Sequence, residues 1–281
     1  MPDEVTVIVV ALIGGEALDA CVRAVRSQSA KFLVVRRDGT IVDGEGRPVG
    51  VADRADIPAK RRSAAELATS PLIALIEDTV VPQSSWARAV ADAFSRKEVV
   101  ACGGPVIIAD QLPAQTRALT LSEYARYNDR VPAGEVSALP GCNFAFRRDA
   151  LLEAMRGSDG LVDLPVFGRL RELDGKLVWA PDAAVTFSHP YPNGARLKTR
   201  FDHGRIYASS KAGAFSRAVT AAKSFLLPVV LTARVVKDAG LAQLRSIRTL
   251  GWLILQHMAW ASGEFVGAVA GPSPKGLGEW Q

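Results

Sequence analysis

Apolar residues in the first hundred positions alternate between short continuous runs and helically spaced patterns. The continuous runs predict buried strands over residues 5–12, 32–35, 71–76 and 99–102. The spaced patterns predict helices over residues 16–27, 59–68 and 84–94, while residues 38–50 have the composition of a turn-rich stretch. This repetition predicts an α/β fold with an open, Rossmann-like, mostly parallel mixed sheet flanked by helices.

The pattern changes after about residue 195. Residues 214–236 and 241–271 have helical spacing, and apolar stretches alternate with basic residues along them. The stretch 249–271 exceeds the ~20 residues that span a bilayer, but it contains Gln256, His257, Glu264 and four glycines. Interfacial helices with basic flanks are therefore favoured over a spanning helix, and packing onto the globular body stays open.

We therefore predict a domain over residues 1–208, with halves 1–105 and 106–208, and a helical extension over residues 209–281. The composition, 48% hydrophobic and 22% charged in 281 residues, is that of a globular protein. Three widely spaced cysteines without a CxxC pair argue against a disulfide framework or structural zinc. The N-terminus shows no secretory signal, so we expect a cytoplasmic protein.

Positive charge is concentrated in one block. Residues 1–195 contain 22 Lys/Arg and 25 Asp/Glu, whereas residues 196–248 contain 11 Lys/Arg and two Asp. A basic block of this kind either binds anionic lipid, phosphates or nucleic acid, or forms a solvated helical face. Because no helix-turn-helix, zinc-finger or RNP pattern accompanies it, nucleic acid is the least favoured partner. The absence of GxGxxG after the first strand argues against a Rossmann dehydrogenase.

Acidic residues follow two predicted strands. Asp38-Gly39 and Glu77-Asp78 lie at the carboxyl ends, where open α/β sheets bind ligands. Two adjacent carboxylates after a buried strand cost folding free energy unless a positive charge lies beside them. A divalent cation bridging to a diphosphate is one such partner, and an exposed turn that caps a helix is the alternative.

Several segments resemble the family-2 glycosyltransferases, inverting enzymes with the GT-A fold, in the order and spacing of that family. The resemblance covers residues 5–208. The segment 73–82 (IALIEDTVVP), followed by Trp86, is similar to the DxD-like strand end of the family. The other matching segments are 5–12, 33–39, 58–68, 102–105 (CGGP), 139–148 (LPGCNFAFRR), Asp163 before Arg169-Leu170, 181–185 (PDAAV) and His189.

The resemblance implies an enzyme that moves a sugar from a nucleotide-sugar donor, UDP-sugar being favoured, to a lipid-linked or polysaccharide-type acceptor. Asp163 would be the catalytic base. The expected metal ligands, for Mg²⁺ or Mn²⁺, are Glu77, Asp78 and His189. The predicted nucleotide-sugar contacts are Ala11, Leu12, Asp38, Arg61, Glu77, Asp78, Asn143 and Arg205. Basic C-terminal helices would hold the protein at the inner face of a membrane.

Structural alternatives stay open for the individual residues. Asp163 could cap a helix before Pro165, or it could sit among apolar neighbours (Leu161, Val162 and Leu164) that would shield a base. Asn143 could be a buried turn asparagine. The helix carrying Lys60, Arg61 and Arg62 could present a solvated face, and Arg205 could be a surface residue.

His189 is displaced by about two residues from the spacing that is common in the family, and the chain departs from the family pattern at three further places. Thr79 stands at the third acidic position, Arg36-Arg37 where relatives often have an aspartate, and Val162 where a glutamate is usual. These departures favour the alternative function, a catalytically degenerate scaffold or nucleotide-sugar-binding partner subunit.

Overall fold

The computed structural model describes residues 4–28, 30–189, 196–209 and 214–271. Two compact units are present: a sheet unit, residues 4–109 and 127–189, and a helical unit, residues 110–126 with the described residues from 196 onward. The helical unit thus includes 110–126 and 196–209 in addition to the predicted extension. The part of that extension over 272–281 lies outside the described residues.

Twelve strands are found in the described part of the chain. They are β1 Val5–Val10, β2 Lys31–Val35, β3 Thr40–Asp43, β4 Pro48–Val51, β5 Leu72–Glu77, β6 Val80–Pro82, β7 Val99–Gly103, β8 Val106–Ile108, β9 Gly134–Glu135, β10 Asn143–Arg147, β11 Lys176–Trp179 and β12 Val185–Phe187. Nine of them form one sheet in the order β4-β3-β2-β1-β5-β10-β7-β11-β9, and β6, β12 and β8 form a second.

The helices over the same described residues are α1 Gly15–Arg26, α2 Ile57–Leu67, α3 Trp86–Ala93, α4 Ala114–Tyr124, α5 Arg148–Ala154, α6 Asp163–Glu172, α7 Arg196–Ser209, α8 Ala214–Ser224, α9 Leu227–Ala239 and α10 Ile247–Ala270. The helical unit contains α4 and α7–α10. The predicted fold class is confirmed, since six of the nine strands of the large sheet point the same way.

The core of the sheet unit lies between the large sheet and helices α2, α5 and α6. Every residue of β1 and β5 is buried, which explains their unbroken apolar runs. Phe144 and Phe146 of β10 pack against Phe167 of α6, with ring centroids 6.2 and 6.3 Å from that of Phe167. This packing holds the central strands in place, and the carboxyl ends of the parallel strands lie along one edge of the sheet.

The turn-rich stretch predicted over residues 38–50 contains a hairpin that the pattern did not indicate. Strands β3 and β4 pair antiparallel at the edge of the sheet, and β3 also pairs antiparallel with β2. The turn between them is closed by Asp43, whose carboxylate accepts hydrogen bonds from the amides of Glu45 and Arg47. Four-residue strands with glycines and charges lack the apolar run that identifies a buried strand.

The helical unit is built around α10. Gly204 of α7 lies against the backbone of Trp260, and Gly263 and Gly267 of α10 lie against the backbone of α7, so added side chains would collide there. The predicted helix over 214–236 is broken at Phe225–Leu226, and Pro228 lies in the first turn of α9. No single helix in the described ranges combines the length and apolarity needed to cross a bilayer; only the pair 216–224 and 227–239, bent by 71°, does so together.

Part of the basic block is buried inside the helical unit. Arg200 pairs with Glu123 at 3.6 Å and lies over the Trp260 ring, 4.7 Å from its centroid. Burial raises the pKa of Glu123 and lowers that of Arg200. Burial, followed by the charge of Arg200, also lowers the pKa of both His203 and His257 to about 4. These two histidines are therefore neutral near pH 7, and Arg200 is a buried residue of the helical unit with the half-buried Glu123 as its partner.

Candidate active site

The candidate site lies where β1 and β5 end side by side. The two strands are parallel and adjacent, with Val10 opposite Glu77. The amide of Asp78 donates to the Val10 carbonyl at 3.2 Å, and the amide of Ala11 donates to the Val35 carbonyl at 2.9 Å. This register brings the first loop of the chain, residues 11–14, next to the acidic pair, as expected for strand ends in an open α/β sheet.

Asp78 is fully buried and holds that first loop. Its carboxylate accepts hydrogen bonds from three successive amides, those of Leu12 at 2.9 Å, Ile13 at 3.0 Å and Gly14 at 2.7 Å. Successive backbone N–H groups that point into one concavity form an anion-binding nest. Here the anion is a side chain of the protein itself. Gly14 has a φ of +80°, a conformation that favours glycine and lets the loop close around the carboxylate.

Glu77 is paired with Arg61 rather than exposed. The Arg61 Nη2 atom donates to Glu77 Oε1 at 2.7 Å and to the Gly141 carbonyl at 2.9 Å, while Glu77 Oε2 lies 3.4 Å from the Thr79 hydroxyl. Both residues are buried. The Arg61 guanidinium also lies over the Phe144 ring, 5.4 Å from its centroid. The buried carboxylate of Glu77 thus has its compensating charge within the protein.

Arg61 joins the acidic strand end to Asp163. Its second nitrogen, Nη1, donates to Asp163 Oδ1 at 2.8 Å. The other oxygen of Asp163 faces Gly141, where an added Cβ atom would force the carboxylate to move. The amide of Leu161 donates to the Pro58 carbonyl at 2.9 Å, which fixes the start of α2 against the segment before α6. One guanidinium therefore spans two carboxylates from distant parts of the chain.

Asp163 itself is accessible. It is the first residue of α6, and its side chain is 29% exposed. Leu161 is buried, but Val162 and Leu164 are exposed, so the expected apolar shielding on both sides of the aspartate is not formed. The carboxylate is oriented by Arg61, and water can approach it from outside.

The predicted ligand His189 also lies at this end of the sheet unit. The amides of Ser188 and His189 donate to the Thr79 carbonyl at 3.2 and 3.4 Å, directly after β12 pairs with β6. The His189 Nδ1 atom lies 3.1 Å from the Ser188 hydroxyl. The backbone of His189 thus lies beside that of Thr79, the residue after the acidic pair, and a role for His189 as a metal ligand stays a prediction.

No group of three His, Cys, Asp or Glu side chains suited to a metal ion occurs within the described ranges. Both oxygens of Asp78 have amide donors, and those of Glu77 face Arg61 and Thr79. These residues do not fit a cation site formed by the protein alone. Any divalent ion here would need most of its ligands from a bound diphosphate and water.

Asn143 stands at the start of β10 and is buried. Its amide accepts a hydrogen bond from the Trp86 indole at 2.8 Å and donates to the carbonyls of Gly104 and Ala183 at 3.1 and 2.8 Å. A Cβ on Gly104 would collide with the Ala183 backbone, which explains the glycine at this close approach. The contacts are those of the buried-asparagine alternative, and they tie the CGGP and PDAAV segments together.

Two further predicted contacts have other hydrogen-bond partners. Asp38 is in the exposed turn after β2, where the amide of Thr40 donates to its carboxylate at 2.9 Å and lowers its pKa. Arg205 is on α7 in the helical unit, and its Nε atom donates to the Gly271 carbonyl at 3.0 Å. Lys60, expected on a solvated helix face, is instead buried, with its ammonium donating to the Arg37 carbonyl at 2.7 Å.

The comparisons with known proteins bear on the fold. No family model and no curated protein matches the sequence. A solved structure of the mannosyltransferase PcManGT from Pyrobaculum calidifontis, in complex with GDP-Man and Mn²⁺, is similar over 94% of this chain and 87% of its own, with a TM-score of 0.56 and 14% identity. GalNAc-T7 with UDP, GalNAc and Mn²⁺ is similar over 73% of this chain and 50% of its own, with a TM-score of 0.48 and 13% identity. The sheet order and the likeness to PcManGT show that this chain has the GT-A glycosyltransferase fold.

Proposed function

We propose that the protein is an inverting glycosyltransferase that moves a sugar from a nucleotide-sugar donor, UDP-sugar being favoured, to a hydroxyl of a lipid-linked or polysaccharide-type acceptor. The bridge from Glu77 through Arg61 to Asp163 carries the proposal. It puts an accessible carboxylate beside the strand ends that bind ligands in open α/β sheets. The sequence resemblance to inverting enzymes and the GT-A fold support the same chemistry.

In the proposed reaction, an acceptor hydroxyl attacks the anomeric carbon of the donor sugar. Asp163 takes the hydroxyl proton as the new C–O bond forms, and the bond from the anomeric carbon to the diphosphate oxygen breaks on the opposite face. The nucleoside diphosphate leaves with the electron pair of that bond. Arg61 positions the base, because its hydrogen bond to Oδ1 leaves the other carboxylate oxygen to receive the proton.

A divalent cation, Mg²⁺ or Mn²⁺, stays a prediction for this reaction. Bound there, it would supply positive charge for the leaving diphosphate. Because the carboxylates of Glu77 and Asp78 are already engaged, we expect chelation with EDTA to weaken binding of UDP or GDP by less than about tenfold, or ~1.4 kcal/mol. Isothermal calorimetry with and without Mn²⁺ measures this. Binding that disappears completely without Mn²⁺ would show that these side chains rearrange to hold the ion.

Arg61→Lys should separate positioning from binding. A lysine keeps the charge but cannot donate to Glu77 and Asp163 at once, because its single ammonium replaces the two separate NH2 groups of the guanidinium. We expect kcat for donor turnover to fall by about 10–100-fold, with KM changed much less. The control is Arg62→Lys, the next residue on α2, whose guanidinium bonds to Glu66 and the Ser158 carbonyl instead. Equal losses in both variants would contradict a specific role for Arg61.

A scaffold or nucleotide-sugar-binding partner subunit is the second candidate. Asp78 favours it, because its carboxylate fills the nest of amides at the end of β1 and Thr79 replaces the third acid. A screen of nucleoside-diphosphate sugars by thermal stabilisation and by release of nucleoside diphosphate distinguishes the two functions. Stabilisation without release, even with glycan acceptors present, would favour the partner subunit.

A further inference from the structure

The helical unit carries an exposed apolar surface that its own packing does not use. On α10, the residues Ile254, Leu255, Met258, Phe265 and Val269 are exposed, while Leu253, Gln256, His257, Ala261 and Glu264 are buried. At 100° per residue, the exposed set falls on one face of the helix. A surface helix ordinarily presents charged and polar side chains there.

The corner between α8 and α9 extends this surface. Phe225 is 74% exposed and Val229 is 72% exposed, with Leu226 and Val230 also exposed beside them. The Phe225 ring packs edge-on against Phe265, with centroids 5.5 Å apart. This contact joins the corner to the α10 stripe. We call the nine residues the apolar face: Phe225, Leu226, Val229, Val230, Ile254, Leu255, Met258, Phe265 and Val269.

Basic residues flank the apolar face. Residues 214–249 contain six Lys/Arg and one Asp. All six basic side chains are exposed, including Lys223 directly before the corner and Arg234 and Lys237 on the exposed side of α9. Apolar side chains at a bent corner with cations around them suit the boundary between acyl chains and anionic headgroups.

We propose that the apolar face docks the protein onto an anionic lipid bilayer, with Phe225 and Leu226 inserted below the headgroups and the surrounding Lys and Arg side chains on the phosphates. A second copy of this chain is less suitable as the occupant, because pairing through the same face would bring two basic clusters together. An anionic bilayer matches both the apolar side chains of the face and the positive charge of the basic residues. Docking there goes beyond the proposed transfer reaction and does not require it.

The test uses the full chain and sedimentation with vesicles of phosphatidylcholine alone or mixed with phosphatidylglycerol. We expect binding to the anionic vesicles, reduced by added salt. The double variant Phe225→Glu/Val229→Glu should lower the partition coefficient by about tenfold or more, because charged side chains oppose insertion. The matched control is Val51→Glu, a 68% exposed valine of β4 in the sheet unit, which should bind like the parent.

Two results would overturn the proposal: parent protein that stays in solution with anionic vesicles, or a double variant that sediments as well as the parent. A concentration-dependent dimer that the double variant abolishes, without vesicle binding by the parent, would assign the face to a second copy instead. The melting temperature of each variant verifies folding. Calorimetry with UDP or GDP in the absence of vesicles measures donor binding separately, so loss of docking and failure of the proposed transfer reaction are distinguished.

Discussion

Replacing Asp163 with asparagine is expected to lower donor turnover by about 10²–10⁴-fold, the usual contribution of a general base. Asparagine keeps an oxygen that can accept the hydrogen bond from Arg61, so the geometry around Glu77 and Gly141 should persist. The change removes only the capacity to take a proton. Binding of UDP or GDP should therefore stay within a few-fold of the parent value.

The measurement is release of nucleoside diphosphate from a panel of UDP- and GDP-sugars, with and without glycan acceptors, alongside calorimetry. The control is Asp159→Asn, which removes a carboxylate that is 91% exposed, four residues before Asp163. Unchanged turnover in Asp163→Asn would remove the base assignment. Loss of nucleotide binding together with turnover would show that this aspartate supports the structure of the site rather than the chemistry.

The fold was predictable because burial on both faces leaves a direct trace in the sequence. The apolar runs of β1 and β5 identify central strands, and their carboxyl ends indicate the candidate site. The hairpin of β3 and β4 leaves no such trace, since strands of four residues are too short for a clear apolar run and these contain Asp43 and Gly50. Pro228 interrupts the apolar run over residues 225–236 in the sequence, and the structure places the break between α8 and α9 just before it, at Phe225–Leu226.

The contacts of the site could not be predicted in the same way, because they depend on tertiary pairing. The two carboxylate partners of Arg61 lie 16 and 102 residues away, so the basic character of residues 58–68 suggested a solvated helix equally well. Burial of Lys60 and Arg61 follows only once α2 packs against β1 and β2. The one local signal was Gly14-Gly15 directly after the first strand, which allows the sharp turn around an anion.

Removal of the Asp78 carboxylate should destabilise the protein strongly. Asp78→Ala leaves the amides of three half-buried residues, Leu12, Ile13 and Gly14, without the acceptor that the fully buried Asp78 provides. Each unmet buried group costs ~1–3 kcal/mol, so the free energy of unfolding should fall by about 3 kcal/mol or more. With a urea m-value of about 3 kcal/mol per M at most, the denaturation midpoint should fall by roughly 1 M or more.

Asp43→Ala is the matched control for this prediction. Asp43 also accepts two backbone amides, those of Glu45 and Arg47, but at an exposed turn where water replaces the lost acceptor. Its loss should cost about 1 kcal/mol or less. Far-UV circular dichroism follows unfolding in both variants, because the fluorescence of five tryptophans would not report on the sheet unit alone.

The same pair of variants decides between the two roles of Asp78. A loop-holding carboxylate predicts lost stability in Asp78→Ala whether or not Mn²⁺ is present, with weaker nucleotide binding because the loop over residues 11–14 loses its shape. A metal ligand predicts nearly unchanged stability of the free protein and loss of only the Mn²⁺-dependent part of nucleotide binding. Three short hydrogen bonds from successive amides to one buried carboxylate lead us to expect the first result.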